Sequence, residues 1–122
     1  MRFFEFSDKI NEDTRFVIFG IPWDYLTSID LPNSSIAPER IRNVTNDIGL
    51  TTELGDYITK FKAVDLGDVS IEKDNIEKNI KTIKNFIKDL RKENENVIPI
   101  MIGGDHFCSY PVIKTVGDLF EK

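Results

Sequence analysis

The chain has 122 residues, of which 40% are hydrophobic and 30% are charged, as in an ordinary globular domain. Its formal net charge is −5, and its lysines and arginines are interleaved with acidic residues, which argues against nucleic-acid binding because such binding needs clustered positive charge. Cys108 is the single cysteine, so an internal disulfide is excluded. The sequence has no signal-peptide pattern and no apolar stretch of the ~18 residues that a membrane span needs. We therefore predict a cytoplasmic protein without a membrane partner.

The first half of the chain predicts one strand and one helix, joined by a long loop. Residues 16–20 form a continuous apolar run rich in β-branched and aromatic residues, which is typical of a strand covered on both faces. Residues 21–37 are polar and lack periodicity, which favours a loop. Pro38 suits the first turn of a helix, and Gly49 suits its end. The apolar residues that share one face of this predicted helix are Ile41, Val44 and Ile48.

The second half predicts two further strands, each followed by a helix. Residues 61–69 and residues 97–102 are the predicted strands. The helix between them is expected to begin with Asp74 and Glu77 as a capping pair, and to bury apolar residues at spacings of three and four. Those residues are Ile76, Ile80, Ile83, Ile87 and Leu90. A last helix, residues 109–116, is expected to end at the glycine that follows.

Strands that alternate with helices predict a parallel α/β sheet with right-handed crossovers. In such sheets, ligands bind outside the carboxyl ends of the strands. Three segments are expected to meet there: the loop after Gly20, the turn at Gly67 and Asp68, and the stretch Gly103-Gly104-Asp105-His106.

His106 is the only histidine of the chain. A lone histidine is more often structural than a ligand, but two glycines precede this one, and glycine permits backbone conformations and close approaches that other residues forbid. Imidazole is a common ligand of transition metals and titrates near neutral pH. We therefore interpret His106 as a candidate metal ligand or acid–base group. Asp105 is expected to orient the turn, and Cys108 to be a small buried side chain and not a nucleophile.

Four motifs in order resemble the ureohydrolase (arginase/agmatinase) family. Gly103-Gly104-Asp105-His106 resembles the first metal-binding motif of that family, although Phe107 stands where a serine is usual. Gly20-Ile21-Pro22-Trp23-Asp24 is similar to the turn after its first strand. Thr27-Ser28 and Pro32 resemble the loop that follows this turn. Ala37-Pro38-Glu39-Arg40-Ile41-Arg42 resembles the start of a family helix, with Ala37 in place of glycine, and Asp65-Leu66-Gly67-Asp68-Val69 resembles a further segment. Residues 33–35 depart from the Gly-x-Arg pattern expected before the helix.

The resemblance implies a three-layer α/β/α fold around a parallel sheet, and hydrolysis of a guanidino group to urea and an amine. It also implies two Mn²⁺ ions, which activate the attacking water. His106 matches the first metal ligand, whereas the other ligands of the family come from Asp-x-His-x-Asp and Asp-x-Asp motifs, and neither motif occurs in this sequence. We therefore expect residues 1–122 to be a single partial ureohydrolase domain, its amino-terminal portion, inactive alone, and we assign no catalytic residue.

The agmatinase branch resembles the chain most, which implies a small guanidino substrate such as agmatine. The alternatives are a formiminoglutamase-type hydrolase of the same family and a non-catalytic assembly module. A partial sheet exposes a strand edge and apolar surface, so we expect a homo-oligomer or a completing chain as partner. Among the other motif residues, Arg42 is expected to form a structural ion pair and Trp23 to pack in the core. For Asp68 two interpretations remain open: a role near the metal, or stabilisation of the turn.

Overall fold

A computed structural model describes residues 2–25 and 33–120 of the chain. The predicted long loop is therefore described only at its two ends, and residues 26–32 lie outside the described ranges, with the loop residues Thr27, Ser28 and Pro32 of the family resemblance among them.

The centre of the described structure is a parallel sheet of three strands. These are β1 (Phe16–Ile21), β2 (Ala63–Asp68) and β3 (Ile98–Gly103), in the order β2-β1-β3. Phe16 is paired with the first residue of each neighbour, so all three carboxyl ends lie at the same edge of the sheet. All three predicted strands are confirmed, and so is the α/β class.

Three α-helices cover the sheet in the described residues. They are α1 (Ala37–Thr45), α2 (Ile76–Glu93) and α3 (Ser109–Phe120). Helices α2 and α3 pack on the face that carries Phe19 and Ile21, where they form the larger apolar core with Ile83 and Ile87. Helix α1 lies on the opposite face, where a side chain at Gly20 would collide with Pro38. The arrangement is the expected three-layer α/β/α fold, and no helix in the described ranges is long and apolar enough to cross a bilayer.

Helix α1 differs from its prediction in length and in orientation. It ends at Thr45 and not near Gly49, because Thr45 Oγ1 and Asn46 Nδ2 both donate to the carbonyl oxygen of Arg42, at 2.8 and 2.9 Å, and occupy the acceptor that a further turn would use. The predicted apolar face is exposed, and the face against the sheet consists of other residues. The buried residues of α1 are Pro38, Arg42 and Thr45.

Helix α2 follows the predicted periodicity, but its first residue is one later than the capping pair implied. Asn75 is the N-cap, because its side chain accepts a hydrogen bond from the backbone N–H of Lys78 at 3.1 Å, so the predicted Asp74–Glu77 pair is wrong. Asn79, which is buried, accepts from the backbone N–H of Glu72 and donates to its carbonyl oxygen. This amide therefore satisfies both backbone hydrogen-bonding groups of Glu72 and fixes the β2–α2 connection to the helix.

Helix α3 continues through Gly117, where we expected it to end. Glycine in a helix costs only about 1 kcal/mol relative to alanine. Packing of α3 against α2 offsets this cost, and the guanidinium of Arg91 lies 4.8 Å from the centre of the Phe120 ring beyond the glycine. Tertiary contacts therefore decide the end of this helix.

Candidate metal-ligand site at the sheet edge

The backbone after β3 is fixed to the backbone after β1. The N–H of Gly104 donates to the carbonyl oxygen of Ile21 at 2.9 Å, and the N–H of Asp105 donates to that of Trp23 at 3.0 Å. A Cβ atom on Gly104 would overlap the carbonyl group of Trp23. Of the two reasons proposed for glycine here, close approach is the one that applies, since the φ of Gly104 is not left-handed.

Asp105 begins a 3-10 turn, His106–Cys108, that carries the candidate ligand. Its Oδ1 accepts a hydrogen bond from the backbone N–H of Phe107 at 3.0 Å, so the carboxylate orients the turn, as predicted. His106 is exposed at the carboxyl end of β3. An imidazole on a well-anchored turn at a strand end is suitably placed to bind a ligand from solvent.

The residues described here do not complete a metal centre. In residues 2–25 and 33–120, no three His, Cys, Asp or Glu side chains are grouped closely enough to hold an ion. Mn²⁺ prefers several oxygen ligands. His106 therefore fits the family's metal as one ligand, whereas the described chain alone does not fit a two-metal cluster, and the role of His106 stays a prediction.

Cys108 is a buried thiol, as expected. Its Sγ donates to the carbonyl oxygen of Trp23 at 3.1 Å, and the side chain is fully inaccessible. Burial raises the pKa of this thiol to about 11, so that it stays protonated at neutral pH. A nucleophilic role is disfavoured because the thiolate, and not the thiol, is the nucleophile.

Phe107 joins an aromatic cluster that sequence analysis did not identify. Its ring centre lies 5.4 Å from that of Trp23, 5.1 Å from that of Tyr25 and 5.8 Å from that of Tyr110. Trp23 is buried, as predicted, while Tyr25 and Tyr110 are exposed. The residue that replaces the usual family serine thus packs beside the candidate ligand, and the spacing of these aromatics along the chain gave no sign of the cluster.

An open cavity of about 430 Å³ lies beside the loop that follows β1. It is lined by Pro22, Trp23, Asp24, Ser35, Ile71 and Lys73. His106 is not among the lining residues, although the hydrogen bond from the Asp105 N–H to the carbonyl oxygen of Trp23 joins the two segments that carry Asp24 and His106.

The carboxyl end of β2 carries a different group of charges. Arg42 donates from Nε to Asp65 Oδ2 at 2.8 Å and from Nη2 to Asp65 Oδ1 at 3.0 Å, and it also forms an ion pair with Asp68. The backbone N–H groups of Phe3 and Gly67 donate to the Asp65 carboxylate at 2.8 and 2.9 Å. The predicted structural ion pair of Arg42 is confirmed, and Asp68 belongs to it.

Both partners of this ion pair have shifted pKa values. Burial alone would raise the pKa of Asp65, but the hydrogen bonds from Arg42, Phe3 and Gly67 outweigh it and hold that pKa below its usual value. Burial likewise opposes the charge of Arg42, and its bonds to Asp65 and Asp68 outweigh burial and raise its pKa. Sequence analysis assigned no role to Asp65; the signal was a carboxylate inside an apolar strand, which must find a partner when buried.

The sequence profile of the arginase family matches residues 14–122. The chain belongs to the arginase family. The agmatinase of Pyrococcus horikoshii is 34% identical to it over 108 residues, which are 86% of this chain and 37% of that protein. The fold, the ordered motifs and this match together confirm the family that the sequence resembled.

Solved structures of other arginase-family proteins share the fold of this chain. The formimidoylglutamase of Bacillus subtilis is similar with a TM-score of 0.76 and 27% identity, over 90% of this chain and 35% of that one. The formiminoglutamase of Trypanosoma cruzi, crystallised with Mn²⁺, has a TM-score of 0.70 at 22% identity, over 90% of this chain and 38% of that one. This arginase-family chain therefore spans little more than a third of the length of these proteins.

Proposed function

We propose that this chain is part of an agmatinase-like hydrolase, which cleaves a guanidino group to urea and an amine. The observation that carries the proposal is the 34% identity to the agmatinase of P. horikoshii over 86% of the chain. Agmatine, a small cationic guanidino compound, is the proposed substrate. The formal net charge of −5 is consistent with a cationic substrate, because opposite charge favours encounter.

His106 is the residue of this chain that we propose as a ligand of Mn²⁺. The support is its exposure at the carboxyl end of β3 and the two backbone hydrogen bonds that anchor its turn. The relative from T. cruzi was crystallised with Mn²⁺, which makes manganese the ion to test first. One imidazole is insufficient for a stable centre, so we propose that the chain is inactive alone and acts within an assembly that supplies further ligands.

A second candidate function is hydrolysis of a formimino group. It is favoured by the fold of the B. subtilis formimidoylglutamase, which is 27% identical to this chain. Both candidates use amidine-type substrates, so the discriminating observation is which substrate is consumed. A non-catalytic assembly module, the remaining alternative, predicts that neither substrate is consumed.

The test is a chimaera that joins residues 1–122 to the part of the P. horikoshii agmatinase that the match does not cover. We expect urea release from agmatine that depends on added Mn²⁺, and none from residues 1–122 alone. His106→Ala in the chimaera is expected to abolish most of the activity, whereas Lys88→Ala, on the exposed side of α2, leaves it unchanged.

Three results would contradict the proposal. Consumption of N-formimino-glutamate without urea release from agmatine favours the second candidate. A folded chimaera that acts on neither substrate contradicts both. Urea release from residues 1–122 alone would show that the chain does not need an assembly.

A further inference from the structure

The aromatic cluster beside His106 has a buried part and an accessible part. Trp23 is buried, and the partly buried ring of Phe107 packs edge-on against it. Tyr25 and Tyr110 are 43% and 51% exposed, and the rings of both lie against Phe107. The cluster therefore presents two accessible tyrosine rings on an aromatic base that is held by the core.

The cluster lies next to the proposed metal ligand. Phe107 follows His106 directly and belongs to the same 3-10 turn. Tyr25 is two residues after Trp23, whose carbonyl oxygen accepts the hydrogen bond that anchors this turn. Since consecutive Cα atoms are only about 3.8 Å apart, one small molecule can contact the cluster and extend to the surroundings of His106.

The electrostatics of the cluster favour a positive ligand. The face of an aromatic ring is negative and attracts ammonium and guanidinium groups. Two carboxylates flank the rings: Asp24 precedes Tyr25 in the chain, and Asp105 accepts a hydrogen bond from the backbone N–H of Phe107 at 3.0 Å. The carboxylates and the ring faces therefore attract the same sign of charge.

Two exposed phenylalanine rings elsewhere in the described chain are each paired with a cation of the chain itself. The guanidinium of Arg91 lies 4.8 Å from the ring centre of Phe120, and Nζ of Lys60 lies 6.0 Å from that of Phe61. In the aromatic cluster, by contrast, no lysine or arginine of the described ranges lies over a ring. Its accessible rings can therefore take a cation from solution.

We propose that the aromatic cluster binds the ammonium end of a cationic guanidino substrate, through Tyr25 and Tyr110, and thereby selects substrates that carry a second positive charge. The inference rests on the proposed function. Agmatine has a guanidino group at one end of a short carbon chain and an ammonium group at the other. The guanidino group is the end that reacts, so the ammonium end is the one that is available to bind beside the proposed metal ligand.

The proposal gives the phenylalanine at position 107 a role in specificity. Its ring is the one that both tyrosines contact, so a serine at this position would remove their common support. Asp24 and Asp105 add selection against the wrong substrate, because they repel a ligand that carries carboxylates. Agmatine has no carboxylate, whereas arginine has one and N-formimino-glutamate has two. The cluster therefore favours agmatine over both.

The test measures binding of small cations to residues 1–122. Trp23 is the single tryptophan of the chain and contacts the rings of Tyr25 and Phe107, so its fluorescence reports on the cluster. Agmatine is compared with butylguanidine, which is the same molecule without the amino group, and with arginine, which adds a carboxylate. We expect agmatine to bind about 5-fold more tightly than either, and tetramethylammonium, which has no guanidino group, to compete with it.

Substitutions locate the binding site on the two tyrosines. Tyr110→Leu and Tyr25→Leu each retain an apolar side chain and remove the ring, and each should weaken agmatine binding by about 3- to 10-fold without changing the affinity for butylguanidine. Tyr57→Leu is the matched control, because Tyr57 is the third tyrosine of the chain, is 67% exposed and lies outside the cluster. Circular dichroism reports the folding of each variant, and the two cluster variants test the site independently.

Three results of the binding experiment overturn the proposal: no binding of agmatine, equal affinities for agmatine and butylguanidine, or agmatine binding that neither Tyr25→Leu nor Tyr110→Leu weakens. The chimaera separates this proposal from the proposed function. There, Tyr110→Leu should raise the KM for agmatine by about 3- to 10-fold and leave kcat unchanged, because the ammonium end is bound equally before and during the reaction. Urea release with a KM that neither variant changes would overturn the cation site and leave the proposed function standing. Agmatine binding through both tyrosines, in a chimaera that releases no urea, supports the cation site while the proposed function fails.

Discussion

The two helix layers of this chain are built on opposite principles. Helices α2 and α3 enclose an apolar core against the sheet, with Phe19, Ile83 and Ile87 fully buried. Helix α1 buries an arginine against a strand carboxylate and exposes Ile41 and Val44. The α2–α3 layer buries its apolar side chains against the sheet of the same chain. The α1 layer instead has a polar interior and an apolar exterior. An apolar exterior of this kind indicates that the exposed side of α1 is suited to packing against additional protein.

The strongest way to break the α1 layer is to remove one partner of its buried ion pair. Asp65→Ala leaves the guanidinium of Arg42 buried beside only Asp68, so we expect a loss of about 4 kcal/mol in the free energy of unfolding. Urea denaturation followed by circular dichroism measures it. Asp13→Ala removes the exposed pair with Lys62 and should leave the denaturation midpoint unchanged. Equal midpoints for the two variants would show that the buried pair does not hold α1 in place.

A matched pair of substitutions compares the layers directly. Ile87→Ala on α2 should cost about 3 kcal/mol, because it leaves a cavity in a closed core. Ile41→Ala on α1 deletes the same atoms from a side chain that is 42% exposed, and should cost under about 1 kcal/mol. The measurement is urea denaturation of the isolated chain. A large loss for Ile41→Ala would mean that this exposed flank of α1 is covered in solution, for example by self-association.

Acid should weaken the α1 layer before it affects the apolar core. The pKa of Asp65 is lower in the folded chain than its ordinary value of 3.8, so its contribution to stability is present above pH 3.8 and is lost as the pH falls through the lower, folded-state pKa. We expect the urea midpoint of the wild type to fall below about pH 4, and that of Asp65→Asn to fall less. Parallel pH profiles for the two proteins would contradict the assignment. The effect should be smaller than that of Asp65→Ala, because protonation retains the side chain.

The smallest expected effect is a gain of stability in the α2–α3 layer. Gly117 is helical, and among the described residues no atom outside the neighbouring helix backbone lies within 4 Å of the position that a Cβ would take. Gly117→Ala should therefore raise the free energy of unfolding by about 0.5–1 kcal/mol through a less flexible unfolded state. Thermal unfolding measures the increase. Gly104→Ala is the opposite control: it is expected to destabilise the chain, because its Cβ would overlap the carbonyl group of Trp23.

The same contrast explains which parts of the structure could be predicted from the sequence. Periodicity located α2 correctly because its apolar residues are the residues that the core buries. It failed for α1, because periodicity reports which face of a helix is apolar and not which face is buried. A continuous apolar run identified β1, the central strand, which is buried on both faces of the sheet.

Contacts between distant segments could not be predicted from the sequence. The pairing of Phe3 with Asp65 joins residues 62 positions apart, and the aromatic cluster around Phe107 joins two loops. The end of α1 depended on the side chain of Asn46, and the end of α3 on packing against another helix. The candidate ligand His106 was identifiable because glycines and a strand end precede it, whereas the charge pair at the end of β2 was predicted only for Arg42.

The two backbone hydrogen bonds that connect the end of β3 to the end of β1 have a thermodynamic consequence for ligand capture. Gly104 and Asp105 are fixed by Ile21 and Trp23, so the turn before His106 is ordered when the sheet forms. Fixing the backbone of a flexible residue costs about 1–2 kcal/mol in conformational entropy. In this chain the entropy of ordering the turn is lost when the protein folds. Binding of an ion to the imidazole of His106 therefore does not have to order that turn. The anchored turn therefore preorganises His106, the proposed ligand, before any ion binds.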